Sequence, residues 1–583
     1  MFSRKPSLDE IRHSLAHLLA AAVLKKYPKT KLGIGPVIEN GFYYDFVFPS
    51  PVNQEDLVEF ESSMQEMIKE ELSFEGRKIT QQEGHKLFEH QPFKRELIEE
   101  YSAEGKELTA YKTGDIFEDL CRGGHVKNTK AIPADAFKLD KIAGAYWRGD
   151  EKREQMTRIY GLAFASKKEL GEYLAMREEA EKRDHKKLGP ELDLFTFSDL
   201  VGAGLPLWTP KGTLMRHLLD DFVWSLRKER GYVKVDIPHL TKKDLYEKSG
   251  HWEKFQKELF QIKTREGHIF ALKPMNCPHH TQIFARKPMS YREMPQRYAT
   301  TTMQYRDEQT GELSGLSRVR SISIDDAHVF ARHSQIKEEI NKIWDIIKIF
   351  YGKFGFELEI RLSLHDPEHP EKYLGDAERW KDAENILRQI TKDRSEDAEE
   401  APGEAAFYGP KVDFMAKDSL GRKWQVATIQ LDMNQPERFD LNCINEKGEK
   451  ERVAMIHAAI MGSLERFMSI LIEHFAGKFP VWLAPTQVRI LPVGEKFEKY
   501  GKEILEKLQK EGVRAEISDM NETLGKRIRE AEMQKIPYVL VVGEKEESND
   551  SVNVRHHTRG QEGEIGLEKF VVQLREEIQE KKF

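Results

Sequence analysis

Residues 297–330 read RYATTTMQYRDEQTGELSGLSRVRSISIDDAHVF. Two runs rich in β-branched and aromatic residues flank a loop containing Gly311 and Gly315. The pattern predicts two long strands joined by that loop. Arg306 and Glu308 stand on one rim, Arg318 and Arg320 on the other. Arginine's planar fork donates paired hydrogen bonds, which suits phosphate. This strand–loop–strand unit sets the reading of the central part of the chain.

Its second arm ends in Asp325-Asp326-Ala327-His328, which belongs to a wider pattern. Of three cysteines, two lie inside histidine-bearing motifs. Asn276-Cys277-Pro278-His279-His280 goes with His328 and with Ile456-His457. Cys121-Arg122-Gly123-Gly124-His125 goes with His13 and His17. His13 and His17 are four apart on a predicted helix and share a face. The chain thus carries two soft-ligand or acid/base constellations. For the N-terminal set two readings stand: the four side chains bind zinc, or they form a metal-free hydrolytic pocket with a histidine as base. Gly123 and Gly124 allow close approach of a ligand to backbone. Cys443 lies in neither motif and receives no role.

At 583 residues the chain is too long for one core and predicts three to four domains. Hydrophobic content of 39% and charged content of 33% fit a soluble globular protein. No apolar run has membrane-spanning length, and Met1-Phe2-Ser3-Arg4-Lys5-Pro6 is no secretory leader. Three scattered cysteines make no disulfide framework, so a reducing cytoplasm is expected. A net charge of −7 excludes a polycation but not local basic patches that meet RNA.

Periodicity predicts helices at 8–27, 53–75 and 82–104, then strand and turn over 109–164. Residues 166–187 read as a polar helical linker. A helix at 211–230 leads to a strand carrying Val233, Val235 and Ile237 before Pro238. Residues 392–405 read as an acidic surface loop, 425–431 as a strand and 454–475 as one long helix. From about 485 come strands 487–493, 513–519, 537–543 and 552–557 with helices 495–510, 523–535 and 566–580, a compact α/β unit. No internal repeat is found. The expected division is 1–164, a linker 165–188, 189–483 and 484–583, an α+β multidomain protein.

On these motifs the chain resembles the bacterial-type threonyl-tRNA synthetases of class II. The N-terminal match takes in Gly41-Phe42-Tyr43-Tyr44-Asp45, Asp119-Leu120-Cys121-Arg122-Gly123-Gly124-His125 and Gly144-Ala145-Tyr146-Trp147-Arg148-Gly149-Asp150. Pro238 resembles class II motif 1, the hairpin motif 2, and Gly462-Ser463-Leu464-Glu465-Arg466 motif 3. The resemblance implies an α+β editing domain, an antiparallel-sheet catalytic domain and an α/β anticodon-binding domain. It implies ATP-dependent charging of tRNA(Thr) with L-threonine through an adenylate, and hydrolysis of mischarged Ser-tRNA(Thr). By the same resemblance Arg306, Arg466 and Lys411 are catalytic, and Arg306, Glu308, Arg318, Gln425, Thr428 and Arg466 hold ATP with Mg²⁺. Asp326, Tyr408 and Gln430 hold threonine. His13, His17, Tyr44, Lys94, Asp119, Cys121 and His125 form the editing pocket, to which no metal is assigned. Asn521, Glu546 and Arg555 read the anticodon, whereas Lys526 and Arg527 fit RNA contact or a solvated helix face equally. A homodimer is expected through motif 1, and the small ubiquitin-like domain found upstream in many relatives is expected to be missing.

Cys277, His328 and His457 carry the specificity. One thiolate and two imidazoles leave a zinc position open to substrate. Threonine can use amine and hydroxyl there together, valine cannot, and packing alone separates such isosteres only about 10²-fold. Serine keeps both groups, so a second, hydrolytic site is needed. Two positions depart from the family pattern: Ile322 where phenylalanine is frequent, and Ile324 where glutamine is frequent. Isoleucine covers a ring face without a stacking quadrupole and forms no hydrogen bond. The rival readings are a prolyl- or seryl-type synthetase, and a synthetase-like regulator that binds RNA without catalysis.

Overall fold

A computed structural model describes residues 5–583; the leader reading of Met1–Arg4 lies outside the described residues. The chain divides into two compact units, up to Glu178 and from Glu179 to Phe583. The division falls inside the polar helix Lys167–Arg183, within the stretch read as a linker.

In the first unit, helix Leu8–Lys26 starts at a capping box. Ser7 accepts from the Glu10 amide at 3.2 Å, and Glu10 accepts from the Ser7 amide at 2.7 Å. Leu15, Leu18, Leu19 and Val23 are buried against Phe42, Tyr44 and Phe46 of strand Gly41–Val47. That strand pairs antiparallel with Gln155–Ala163, which pairs with Phe137–Tyr146. A separate three-stranded sheet, Phe74–Lys78, Thr109–Thr113 and Phe117–Leu120, carries Asp119 to its end. The expected helix 82–104 is two, Gln81–Leu87 and Pro92–Ala103. Pro92 has no N–H for a preceding turn and a φ suited to a first turn, so the helix restarts there.

The second unit is built on an eight-stranded sheet. Gln296–Tyr305 and Ser321–Ala331 are the two arms of the hairpin and pair antiparallel along their full length. Next come Ala454–Ser463, Lys423–Asp432, Lys411–Lys417 and Glu357–Leu364, all antiparallel. Short parallel strands, Val233–Lys234 and Ala398–Pro402, close the two edges. Helices Pro210–Lys228, Ile336–Gly352 and Leu464–His474 cover it through Leu219, Phe222, Trp344, Phe350 and Phe467.

Two expectations change here. Residues 454–475 are a strand, Ala454–Ser463, followed by a helix, Leu464–His474. The strand is central and buried on both faces, so its apolar run shows no alternation and periodicity cannot tell it from a buried helix. Gly462 at φ +65° turns the chain, and Ser463 caps the helix through the Arg466 amide at 3.2 Å. Residues 392–405 contain strand Ala398–Pro402. Its glutamates and terminal proline are those of a protected edge, which reads from sequence as loop.

The C-terminal sheet runs Ala515–Ile517, Val488–Pro492, Tyr538–Val542, Ser551–His556 and Gly560–Gly566, the first three parallel. The last strand, exposed and rich in glycine and charge, was not anticipated.

A buried ion pair fastens helix Pro210–Lys228 to the sheet. Arg227 donates to Asp325, and both are almost fully buried, at 3% and 0% exposure. Asp325 also accepts from the Ile460 and Met461 amides at 2.9 and 3.0 Å. Arg227→Met leaves that carboxylate without its cation and is expected to lower unfolding stability by about 3–5 kcal/mol, read from denaturant titration.

Candidate active sites

A cleft over the sheet is lined by Arg306, Glu308, Arg318, Gln425, Thr428 and Arg466. Arg306 follows the first hairpin arm, and its amide donates to the Arg320 carbonyl at 3.0 Å, closing the loop base. The Arg306 Nε is buried without a partner, a donor that an incoming oxyanion can satisfy. Arg466 comes from the first turn of the helix after Ser463. Burial holds its guanidinium below the usual range, and it lies 5.7 Å from the Trp424 ring. Glu308 and Arg318, expected to have separate jobs, are paired: Glu308 Oε2 is 2.7 Å from Arg318 Nη2, and Glu312 adds a second carboxylate at 3.2 Å. Ile322 and Ile324 line the same cleft with aliphatic surface.

Its floor is organised by a residue that sequence reasoning missed. Asp413 is fully buried, and its Oδ1 accepts from Gln425 and Thr428, each at 2.8 Å. Its Oδ2 accepts from Ser363 at 2.7 Å and lies 3.2 Å from Lys411 Nζ. The signal was the alternation Lys411-Val412-Asp413 on one strand, which points the first and third side chains the same way.

Sheet register assembles the second site. His328, His457 and Gln430 are direct neighbours across three strands. His328 Nε2 faces His457 Nδ1 at 3.0 Å, and Cys277 heads helix Cys277–Ala285 beside them. The three donor atoms lie within 4.8 Å of one another and are all buried. The outer nitrogens are engaged: His457 Nε2 is 2.9 Å from Asp432, and His328 Nδ1 is 2.8 Å from His280 Nδ1. A carboxylate behind a histidine fixes its tautomer and leaves the other nitrogen free to ligate. Burial, with Asp326 and Asp432 nearby, pushes the Cys277 thiol up. The donor set of one sulfur and two imidazoles fits zinc with a free position.

Around it stand the threonine candidates. Asp326 accepts from Asn276 Nδ2 at 3.0 Å, and Asn276 Oδ1 accepts from Lys273 Nζ at 3.1 Å. Burial pushes Lys273 down to about 8. Tyr408 donates to Gln430 at 2.7 Å, and its ring stacks on His457 with centroids 4.9 Å apart. Lys273 and Asp432 were not singled out from sequence, and His280 was quoted there within its motif without a role.

In the first unit one pocket gathers His13, His17, Tyr44, Lys94, Asp119 and Cys121, with His125 packed against both other histidines. Gly123 and Gly124, at φ +91° and +85°, turn the chain so that Cys121 and His125 face the helix. Cys121 Sγ lies 3.4 Å from His13 Nε2 and 3.2 Å from His125 Nε2. Lys94 and Asp119 form a buried pair at 2.6 Å, and Tyr44 donates to Asp119 at 2.5 Å. Burial lowers all three imidazoles and pushes the Cys121 thiol up to about 11. Near neutral pH the pocket therefore holds neutral bases and a protonated thiol, beside one cation–carboxylate pair.

In the C-terminal sheet, Asn521 and Glu546 follow the ends of parallel strands, and Glu546 caps a short helix through the Gly543 amide at 2.9 Å. Arg555 pairs with Glu532 at 2.8 Å. Arg527 proves structural: it is 3% exposed and donates to the Pro492 carbonyl at 2.8 Å. Lys526 is exposed and pairs with Glu522.

Comparison with known proteins finds three family models along the chain. The tRNA synthetase class II core domain (G, H, P, S and T) matches residues 260–475, and an anticodon binding domain matches 487–577. The threonyl and alanyl tRNA synthetase second additional domain matches 108–160. Threonine–tRNA ligase of Azobacteroides pseudotrichonymphae is 46% identical over 574 residues, 97% of this chain and 88% of that one. Its counterpart in Gloeobacter violaceus is 45% identical over 584 residues, 98% and 92% of the two chains. Among solved structures, the RNA binding domain of threonyl-tRNA synthetase from Cryptosporidium parvum Iowa II aligns at 36% identity and a TM-score of 0.63, covering 67% of this chain and 97% of that one. Prolyl-tRNA synthetase from Cryptosporidium parvum aligns at 17% identity and a TM-score of 0.54, over 68% of this chain and 75% of that one, which speaks for the fold alone. With close to half its residues shared along nearly its whole length, and all three domain types present, the chain belongs to the threonine–tRNA ligase family of class II aminoacyl-tRNA synthetases.

Proposed function

We propose that this chain charges tRNA(Thr) in two steps and removes its own errors in a third. The threonine carboxylate attacks the α-phosphorus of ATP and pyrophosphate leaves. A hydroxyl of the terminal tRNA ribose then attacks the acyl carbon and AMP leaves. Arg306 sits against the α-phosphate and the carboxylate, and Arg466 against adenine and phosphates. Arg318 swings from Glu308 to the terminal phosphate, freeing Glu308 for the adenine amino group. Lys411 stands over the reacting centre. Mg²⁺ enters with ATP. No protein nucleophile is needed; positioning and charge stabilisation carry the rate.

Cys277, His328 and His457 would hold zinc, which supplies a Lewis-acidic position for an amine and a hydroxyl together. Asp326 accepts from the threonine hydroxyl, and Tyr408 and Gln430 wall the pocket. The observation that carries this reading is the register that lines up His328, His457 and Gln430 beside buried Cys277.

In the N-terminal pocket a neutral imidazole takes a proton from water, which attacks the ester of Ser-tRNA(Thr) and releases serine and tRNA. Lys94, held by Asp119 and Tyr44, neutralises charge that develops on the acyl oxygen. The chain is divided as 1–164 for editing, 165–188 as linker, 189–483 for catalysis and 484–583 for the anticodon, with Asn521, Glu546 and Arg555 as base contacts. Exposed apolar residues before and after the Pro210–Lys228 helix, Leu200 at 99% and Val233 at 52%, support a homodimer. No helix among the described residues is long and apolar enough to cross a membrane; residence is in the cytoplasm. The RNA-binding regulator reading is disfavoured by the unpartnered Arg306 Nε beside Arg466. Aminoacylation of tRNA(Thr) with labelled threonine tests the whole: ATP-dependent ester formation is expected, and its absence with added zinc and Mg²⁺ would refute the enzyme.

A further inference from the structure

The nucleotide cleft is braced from behind by a histidine at the end of the linker. His185 is 3% exposed and begins helix His185–Glu191, which Asp184 caps. Its Nδ1 lies 2.6 Å from Glu473 Oε1, and its Nε2 lies 3.0 Å from the backbone nitrogen of Leu316. A backbone N–H can only donate, so Nε2 accepts and Nδ1 carries the proton to Glu473. Both ring nitrogens are engaged, which argues against a metal shared with Asp184 and Glu473.

The two partners belong to the two walls of the cleft. Leu316 lies in the loop that bears Arg318. Glu473 lies two turns beyond Arg466 on the same helix, Leu464–His474, and is itself held by Arg422 at 2.6 Å. Gly315 has φ +51°, and a Cβ there would stand 2.3 Å from His185 Nε2, so the loop backbone passes directly over the ring. A second tether joins the same elements: Ser317 Oγ is 3.1 Å from Ser469 Oγ.

We infer that His185 is a positioning residue for ATP: it fastens the backbone of the Arg318 loop to the Arg466 helix, so that the two guanidiniums keep the spacing a triphosphate needs. This rests on the assignment of the cleft to ATP. Losing the ring leaves a buried amide unpaired and lets the loop drift, and the loss is felt where both arginines must meet one ligand.

The test is threonine-dependent ATP–pyrophosphate exchange with each substrate varied in turn. His185→Ala is expected to raise KM for ATP by roughly 10-fold while KM for threonine stays put. Ser469→Ala leaves the buried ring alone and is expected to raise KM for ATP by roughly 3-fold. An ATP KM unmoved in both variants would overturn the inference. So would a rise in the threonine KM by the same factor, because that reports general loosening. Exchange absent from the unmodified chain would instead remove the ATP assignment underneath.

Discussion

Cys277→Ala is expected to abolish zinc retention and to lower threonine-dependent pyrophosphate exchange by roughly 10³-fold or more. The size follows from what lies behind the ligands: losing even an outer partner of a metal ligand costs about 10–100-fold, and a ligand itself costs more. The cysteine is not serving as core filler. It is buried among two imidazoles and near two carboxylates, Asp326 and Asp432. Asp432→Asn is the graded companion. It keeps shape but removes the carboxylate 2.9 Å from His457 Nε2, and about 10–100-fold weaker zinc affinity is expected from equilibrium chelator competition. Zinc retained at full occupancy in Cys277→Ala would exclude the thiol as a ligand.

His13→Ala is expected to spare threonine activation and to slow Ser-tRNA(Thr) hydrolysis by roughly 10²–10⁴-fold, so that Ser-tRNA(Thr) accumulates. The pH profile separates the two chemistries open to this pocket. A base works when unprotonated, and burial lowers His13 from its usual 6.5. Hydrolysis catalysed by imidazole should therefore hold a plateau below pH 6.5 and fall only under more acidic conditions. The Cys121 thiol sits at about 11, so a thiolate nucleophile would make the rate climb towards that pH instead. Deacylation rates from pH 5 to 10 distinguish a plateau from a climb.

The chemistry of this chain is legible in its sequence because its reactive residues are rare types at diagnostic spacing. Cys277 and Cys121 stand out in a chain with three cysteines, and the Arg306–Arg318 hairpin is marked by two β-branched and aromatic runs around a loop with Gly311 and Gly315. What stays hidden is set by burial and by partners. Ala454–Ser463 reads as helix because a strand covered on both faces loses its alternation. Ala398–Pro402 reads as loop because an edge strand is made polar to resist pairing. Asp413 is a plain aspartate in sequence and becomes the organiser of Gln425, Thr428 and Lys411 only once three strands are in register. The pairing of Glu308 with Arg318 is likewise a matter of a loop folding back on itself, which no local pattern encodes.

The central claim is that one pocket selects for the hydroxyl and the other corrects the selection's blind spot. Pyrophosphate exchange by the zinc-loaded chain with threonine, serine and valine side by side tests it most directly. Strong exchange with threonine, measurable exchange with serine, and exchange with valine suppressed relative to threonine by more than the roughly 10²-fold that packing alone allows are the predicted results. Valine activated as well as serine, or discrimination unchanged after zinc is stripped and the chain remains folded, would contradict the account.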